Sequence, residues 1–285
     1  MRRAGGAVIA ALAGFWLLVQ SPLAFAAGPD CLRGFITELR KAVADQDEAE
    51  DMFARITIFS DDGARGATMA IQQVRGDRFA VLWENLDELQ RLRRNPFAKD
   101  DEVFEVYAKL VDLDKAGGPT VFGHLASEKL NDSQGALFQF FVTKKTAGNG
   151  TNYALIDDLE KELTGIGGAT RRMDLVEVNG NLHEIKAWFE PLANGTEKKL
   201  LDYALEFQSD IVLCADRGFL NYRVHFPDVI NTKTQRDWIK ATLMQQFNEP
   251  AVIAHFAADP GALALAKLEF STAWDSGLIA QFHAF

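Results

Sequence analysis

Apolar positions follow one rhythm in the first half of the chain and a mixture of rhythms in the second. Leu32, Phe35, Ile36, Leu39 and Val43 recur three and four apart, and similar stripes run through residues 79–92, 101–113 and 136–142. That spacing predicts helices. An acidic run over 45–51 interrupts the first stripe, Asp77 and Asp100 favour the next two starts, and Gly117-Gly118-Pro119 ends the third segment. The small, polar stretch 146–151 is the expected boundary between a mostly helical region, 28–148, and a second region, 149–285.

In the second region Leu155, Leu159 and Leu163 lie four apart, which predicts a helix over 153–164, closed by Gly165, Gly167 and Gly168. Residues 173–178 and 182–188 are rich in β-formers and alternate, with Asn179-Gly180-Asn181 between them as a hairpin turn. A helix is expected from 197 to about 207, then buried strands over 210–215 and 220–226. A helix over 232–247 and an apolar, helical tail over 251–285 complete the reading. The fold class is therefore α/β (mixed α+β), with a central mixed sheet flanked by helices.

The hairpin carries the candidate chemistry. Glu184 and Lys186 share one face of their strand because side chains alternate. A two-residue loop would set Asp174 opposite Ile185, on the other face. A three-residue loop over 179–181, with Asn181 left-handed, pairs Val178 with Leu182, Val176 with Glu184 and Asp174 with Lys186. The three-residue loop is expected. Two carboxylates brought together repel unless a cation lies between them, and Mg²⁺ suits one or two carboxylates with waters and phosphate oxygens. Lys186, one residue past a ligand, is placed to orient water or to neutralise charge on a phosphate.

Asp, a hairpin, then Glu-x-Lys resembles the core of the PD-(D/E)xK, or restriction-endonuclease-like, nuclease superfamily. The likeness covers about 150–226, in the order helix, strand, strand, helix, strand. Met173 stands where the family often has proline before its first Asp. The run Arg171-Arg172-Met173-Asp174, Asn179-Gly180, Glu184-Ile185-Lys186 is similar to nuclease modules of bacterial polymorphic toxins. The resemblance implies catalytic Asp174, Glu184 and Lys186, with Glu162 as a further acid from the preceding helix, where Asp158 and Glu160 are alternatives. It also implies Mg²⁺ or Mn²⁺ on Asp174, Glu184 and the Ile185 carbonyl. Arg171, Arg172, Lys198 and Lys199 are candidate phosphate contacts.

Residues 1–27 have the form of a secretory signal: Arg2-Arg3, an apolar stretch through Leu18, and Ala24-Phe25-Ala26 for cleavage. A secreted product, extracellular or periplasmic and without stable membrane association, is expected. Cys31 and Cys214 either bridge in that compartment or leave Cys214 as a small buried hydrophobe. Net charge is −10, and loss of Arg2 and Arg3 makes it more negative. That balance opposes nucleic-acid binding except through local basic clusters. Five scattered histidines offer no helical zinc-ligand pair, and no Gly-x-Ser-x-Gly elbow or phosphate-binding glycine loop is present.

The leading expectation is a secreted Mg²⁺-dependent endonuclease, toxin-like, cutting DNA in preference to RNA, with a neutralising immunity-type protein as partner. The alternative, from another class, is a secreted binding or effector protein that keeps the fold without catalysis.

Overall fold

The structure, a computed structural model, describes residues 29–43, 60–74, 78–99, 101–165 and 168–285. The expected signal segment and residues 44–59 lie outside the described residues.

Among the described residues six helices come first: α1 (Pro29–Ala42), α2 (Asp61–Val74), α3 (Arg78–Arg91), α4 (Asp101–Asp112), α5 (Gly117–Leu125) and α6 (Leu130–Thr146). Their apolar stripes close a core of Phe35, Phe79, Trp83, Phe104 and Phe122. The same cluster takes in Ile156, Leu159 and Leu175 from the sheet, so the helical half packs on one sheet face. Two glycines make close approaches there. A Cβ on Gly66 would lie 2.0 Å from the Phe104 carbonyl oxygen, and one on Gly117 1.9 Å from that of Leu159.

The sheet follows: β1 (Ile156–Thr164), β2 (Thr170–Glu177) and β3 (Leu182–Ile185), then α7 (Lys198–Arg217), β4 (Tyr222–Pro227), α8 (Lys233–Gln246), α9 (Pro250–His255), α10 (Pro260–Asp275) and β5 (Ala280–His283). Strand order is β1-β2-β3-β4-β5, the first three antiparallel and the last three parallel. The chain is thus mixed α/β, with a five-stranded mixed sheet flanked by helices. Helices α7, α8 and α10 cover the second face, around Tyr203, Phe207, Phe219, Phe247 and Phe270. Thr232 caps α8 by accepting from the Gln235 amide, and Asp259 caps α10 by accepting from the Ala262 amide.

Four expectations are corrected. Residues 153–164 form a short 3₁₀ turn and then strand β1, not a helix. The register of β1 slips between Ile156 and Asp158, and Glu160 adopts φ +52°. The slip lets Ile156 and Leu159 both enter the helical-side core, while Leu163, beyond Glu160, packs against the cluster on the other face, so residues buried on different faces fall at helical spacing within a strand. Residues 210–215 form no strand but the centre of the 20-residue α7, which runs until Gly218 at φ +77°. Their continuous apolar run reflects burial between sheet and C-terminal helices. The tail is not wholly helical, since Ala280–His283 adds β5 parallel to β4.

The fourth correction is the hairpin. Val176 pairs Leu182 and Leu175 pairs His183, with the Glu177 amide donating to the Asn181 carbonyl at 2.9 Å. The loop has three residues, as expected, but they are Val178, Asn179 and Gly180, and Gly180 takes the left-handed conformation (φ +91°) in place of Asn181. A shift of two residues preserves facing. Extended by one residue beyond Leu175 and His183, this register would set Asp174 across from Glu184 rather than Lys186.

Among the described residues no helix is long and apolar enough to cross a membrane. Cys214 is a free thiol buried in α7.

Candidate active site

Glu184 is almost wholly buried on β3 and ion-pairs with Lys186 at 2.6 Å. Lys186 also reaches Glu206 of α7 at 2.5 Å, and its ammonium lies 4.6 Å from the centre of the Tyr203 ring. From β2, Arg171 reaches Asp210 of α7 at 2.7 Å. Asp210 is fully buried and accepts from the Tyr222 hydroxyl at 2.6 Å. Glu206 and Asp210 are one helical turn apart on α7, so both face the β2–β3 hairpin.

Asp174 is held differently. Its Oδ2 accepts the Ile185 backbone amide at 2.6 Å, while its own carbonyl accepts from Gln139 of α6 at 2.6 Å. The carboxylate stands in for a ladder carbonyl where β2 parts from β3. Burial, then the charge of Glu184, push the Asp174 pKa well above the usual carboxylate range, against the pull of Lys186. Burial likewise raises the Glu184 carboxyl, opposed first by Lys186. Lys186 is raised despite burial, because Glu184, Asp174 and Glu206 hold its charge. Four acids, Asp174, Glu184, Glu206 and Asp210, meet two cations, Arg171 and Lys186. With all four ionised the cluster holds more negative charge than its own cations balance, and burial and this repulsion favour a proton on Asp174 and Glu184.

One acceptor is left incompletely used. Glu184 Oε2 faces Arg171 Nη2 at 3.0 Å in a geometry that forms no hydrogen bond, and among the described residues neither atom makes one elsewhere, although Nη2 also lies 3.7 Å from Glu206 Oε2.

Asp174, Glu184, Ile185 and Lys186 are thus brought together as the sequence suggests, and the other candidates fall elsewhere. Glu162 lies exposed on β1 opposite Arg172 and does not join them. Of the three acids considered for that role, Glu160 is the one whose charge acts on Asp174, and it comes from a strand, not a helix. It also bonds Gln139 at 3.0 Å and Arg172 at 2.9 Å. Asp158 instead accepts the Gly117 amide at 2.9 Å, tying β1 to α5. Arg171 is interior and belongs to Asp210 and Glu184, not to a solvent-facing phosphate rim. Arg172 is exposed, Lys198 pairs with Asp202 at 2.5 Å, and Lys199 pairs with Glu197 at 3.1 Å.

Sequence reasoning missed Glu206, Asp210, Tyr203 and Tyr222. A signal for the acids existed: carrying the helix from 197 through the breaker-free stretch to Gly218 puts Glu206 and Asp210 at i, i+4.

The opposite face of the sheet holds a second polar feature that the sequence did not reveal. His183, His225 and His283, on β3, β4 and β5, link ring to ring, with Nδ1···Nε2 distances of 2.8 Å for each step, and His183 Nε2 donates to Glu177 at 2.8 Å. Ring centroids 5.0 and 5.1 Å apart at small interplanar angles mean that the imidazoles meet edge to edge. Parallel pairing places His183 beside Arg223 in register and His225 beside Gln281, so neighbouring strands offset their histidines by two residues.

Among the described residues no three His, Cys, Asp or Glu side chains converge as a metal cluster. The donor set available to a cation is two carboxylates and a backbone carbonyl. The chain matches no protein-family model, no curated protein and no solved structure.

Proposed function

We propose that the protein is a metal-dependent nuclease in which Asp174, Glu184 and Lys186 act on a phosphodiester, with DNA the expected substrate ahead of RNA. The observation that carries this reading is the hydrogen bond that the Asp174 carboxylate accepts from the Ile185 amide, between Glu184 and Lys186 in the chain, with Asp174 and Glu184 both raised in pKa. The order helix α6, strands β1 to β3, helix α7, strand β4 contains the helix and strand succession that the nuclease resemblance implies, with one additional strand.

The residues present fit a hard divalent cation. Two carboxylates with surplus negative charge, one buried oxygen lacking a hydrogen bond, and the nearby Ile185 carbonyl are oxygen donors of the kind Mg²⁺ or Mn²⁺ takes, whereas zinc favours nitrogen and sulfur. Bound by Asp174, Glu184 and the Ile185 carbonyl, such an ion supplies polarisation of a phosphate oxygen and a more acidic water. The rest belongs to the chain. Glu184 and Glu206 keep Lys186 charged and aimed, so that it can donate to a developing anionic oxygen. Glu206 is half-exposed, free to turn away as substrate charge replaces its own. Arg171 and Asp210, locked by Tyr222, fix the floor on which Glu184 stands.

One observation favours the non-catalytic alternative. Lys186 and Arg171 already lie against Glu184, an arrangement that satisfies a purely structural network as well. Incubating the mature protein with plasmid DNA and with single-stranded RNA in Mg²⁺, Mn²⁺ or EDTA separates the two. Cleavage that needs the divalent ion supports the nuclease, and intact DNA and RNA under every condition would leave a binding protein.

A further inference from the structure

Directly after Lys186 the chain turns into the wall of a cleft of about 410 Å³, within the roughly 300–1,000 Å³ range of ligand sites. Trp188 leans edge-on against Tyr203 at 6.0 Å between ring centroids, the same ring that underlies Lys186 at 4.6 Å. The cleft therefore opens one aromatic ring away from the carboxylate and lysine cluster. Phe189, next in sequence, packs on Phe138 of α6 at 5.7 Å, so two consecutive aromatic residues are pinned by different elements.

Two cations reach the same space. Arg94, three-quarters buried, is steadied by Gln134 at 3.2 Å and pairs with the exposed Glu190 at 2.6 Å. Lys199 donates to the Glu190 carbonyl at 3.0 Å and stands 6.0 Å from the Trp188 ring. Aromatic rings for stacking with cations for backbone phosphates are the ingredients that bind single-stranded nucleic acid. In a chain of net charge −10, a polyanion needs such a local concentration of cations and rings. The Glu190 carboxylate occupies the position on Arg94 that a phosphate would take.

We propose that this cleft binds a single-stranded stretch of nucleic acid beside the scissile phosphate, with a base against Trp188 and Phe189. Flanking phosphates bind Arg94 once the Glu190 carboxylate is displaced and Lys199 once it leaves Glu197. The inference rests on the nuclease reading for its substrate, and the following test separates the two.

The full wild-type chain, held in EDTA so that the strand is left uncut, is titrated against a fluorescent thymidine oligonucleotide and followed by anisotropy. Under the same conditions, Glu190→Gln strengthens binding several-fold by removing the internal competitor. Arg94→Gln weakens it about tenfold and lowers the salt dependence by about one phosphate contact. Trp188→Ala weakens it about tenfold through lost stacking. Glu190 is exposed and its replacement isosteric, so that variant keeps the test decisive should Trp188→Ala unfold. Unchanged affinity in both charge variants, or no binding by the parent, would overturn the proposal. Binding that responds to both charge variants, in a protein whose wild type cuts neither DNA nor RNA, would support the cleft while removing the nuclease reading. Cleavage with binding indifferent to positions 94 and 190 would do the reverse.

Discussion

The Asp174 carboxylate takes the place of a backbone carbonyl, accepting the Ile185 amide hydrogen at 2.6 Å across the β2–β3 hairpin. A side chain that completes a sheet ladder and also faces a second carboxylate has two separable duties. Asp174→Asn keeps the acceptor and removes the charge that burial and Glu184 oppose. It is expected to unfold at the wild-type temperature or slightly above while losing activity. Asp174→Ala forfeits the acceptor too, and should be about 1–2 kcal/mol less stable in urea denaturation at pH 7. Equal destabilisation by both substitutions would remove the charge argument.

Arg171 offers a test of which interactions hold the site together. It is the direct partner of the fully buried Asp210 and lies against Glu184. Arg171→Ala leaves two buried carboxylates with a cation withdrawn, a change of about 3–5 kcal/mol in other buried pairs. Arg172→Ala, on the exposed neighbour, is expected to change stability by less than about 1 kcal/mol. Urea midpoints for the two variants should differ accordingly, and the opposite ranking would mean that Arg171 faces solvent.

The choice of third acid can be read from activity. Glu160 acts on the charge of Asp174 and Glu162 does not, so Glu160→Gln should lower kcat/KM about tenfold or more, with Glu162→Gln within about twofold of wild type. An effect confined to Glu162→Gln would restore the assignment that the sequence suggested.

The histidine chain makes stability depend on pH. Burial first, then the neighbouring His183, His283 and Arg223 charges, keep His225 well below its ordinary pKa of 6.5, and burial with Lys145 lowers His283 to about 4. Depressed histidines are neutral in the fold and take up protons on unfolding. Their contribution is therefore complete above about pH 6.5 and is lost as pH falls toward 4. Asp174 and Glu184, whose raised pKa values make protonation stabilising, oppose the loss, whereas Glu177, held low first by its hydrogen bond with His183, adds to it. His283→Phe isolates the effect. Its urea stability should decline less than wild type between pH 7 and 4.5, by about 1–3 kcal/mol, and parallel curves would show that the histidines do not titrate on unfolding.

Much of this architecture was legible from residue pattern, and its failures have physical causes. Stripes of Leu, Phe and Val located α1, α3 and α4 because those helices leave one side toward solvent, whereas α2, built largely on Gly and Ala, and the short α5 were not anticipated. Asn179-Gly180 marked the hairpin, and the pairing across it differs from the expected one by two residues, a slip that keeps each position's parity. The β1 strand was obscured because its register slip sends Ile156 and Leu159 into one core while Leu163 packs on the other face, so the apolar residues fall three and four apart. Residues 210–215 misled for the opposite reason: a helix covered on several sides loses its polar stripe and looks like a central strand. The buried partners of the site, Asp210 and Tyr222, and the three histidines depend on which strands and helices become neighbours. No local pattern encodes that.

The central claim is that Asp174 and Glu184 share surplus negative charge which a single divalent cation relieves. Calorimetric titration of Mn²⁺ into the wild type and Asp174→Asn at pH 7, both verified as folded, measures this directly. One ion per wild-type chain with heat lost in Asp174→Asn, and affinity falling as lower pH protonates the carboxylates, is the expected result. Absence of binding in the wild type, or identical binding in both proteins, would contradict it.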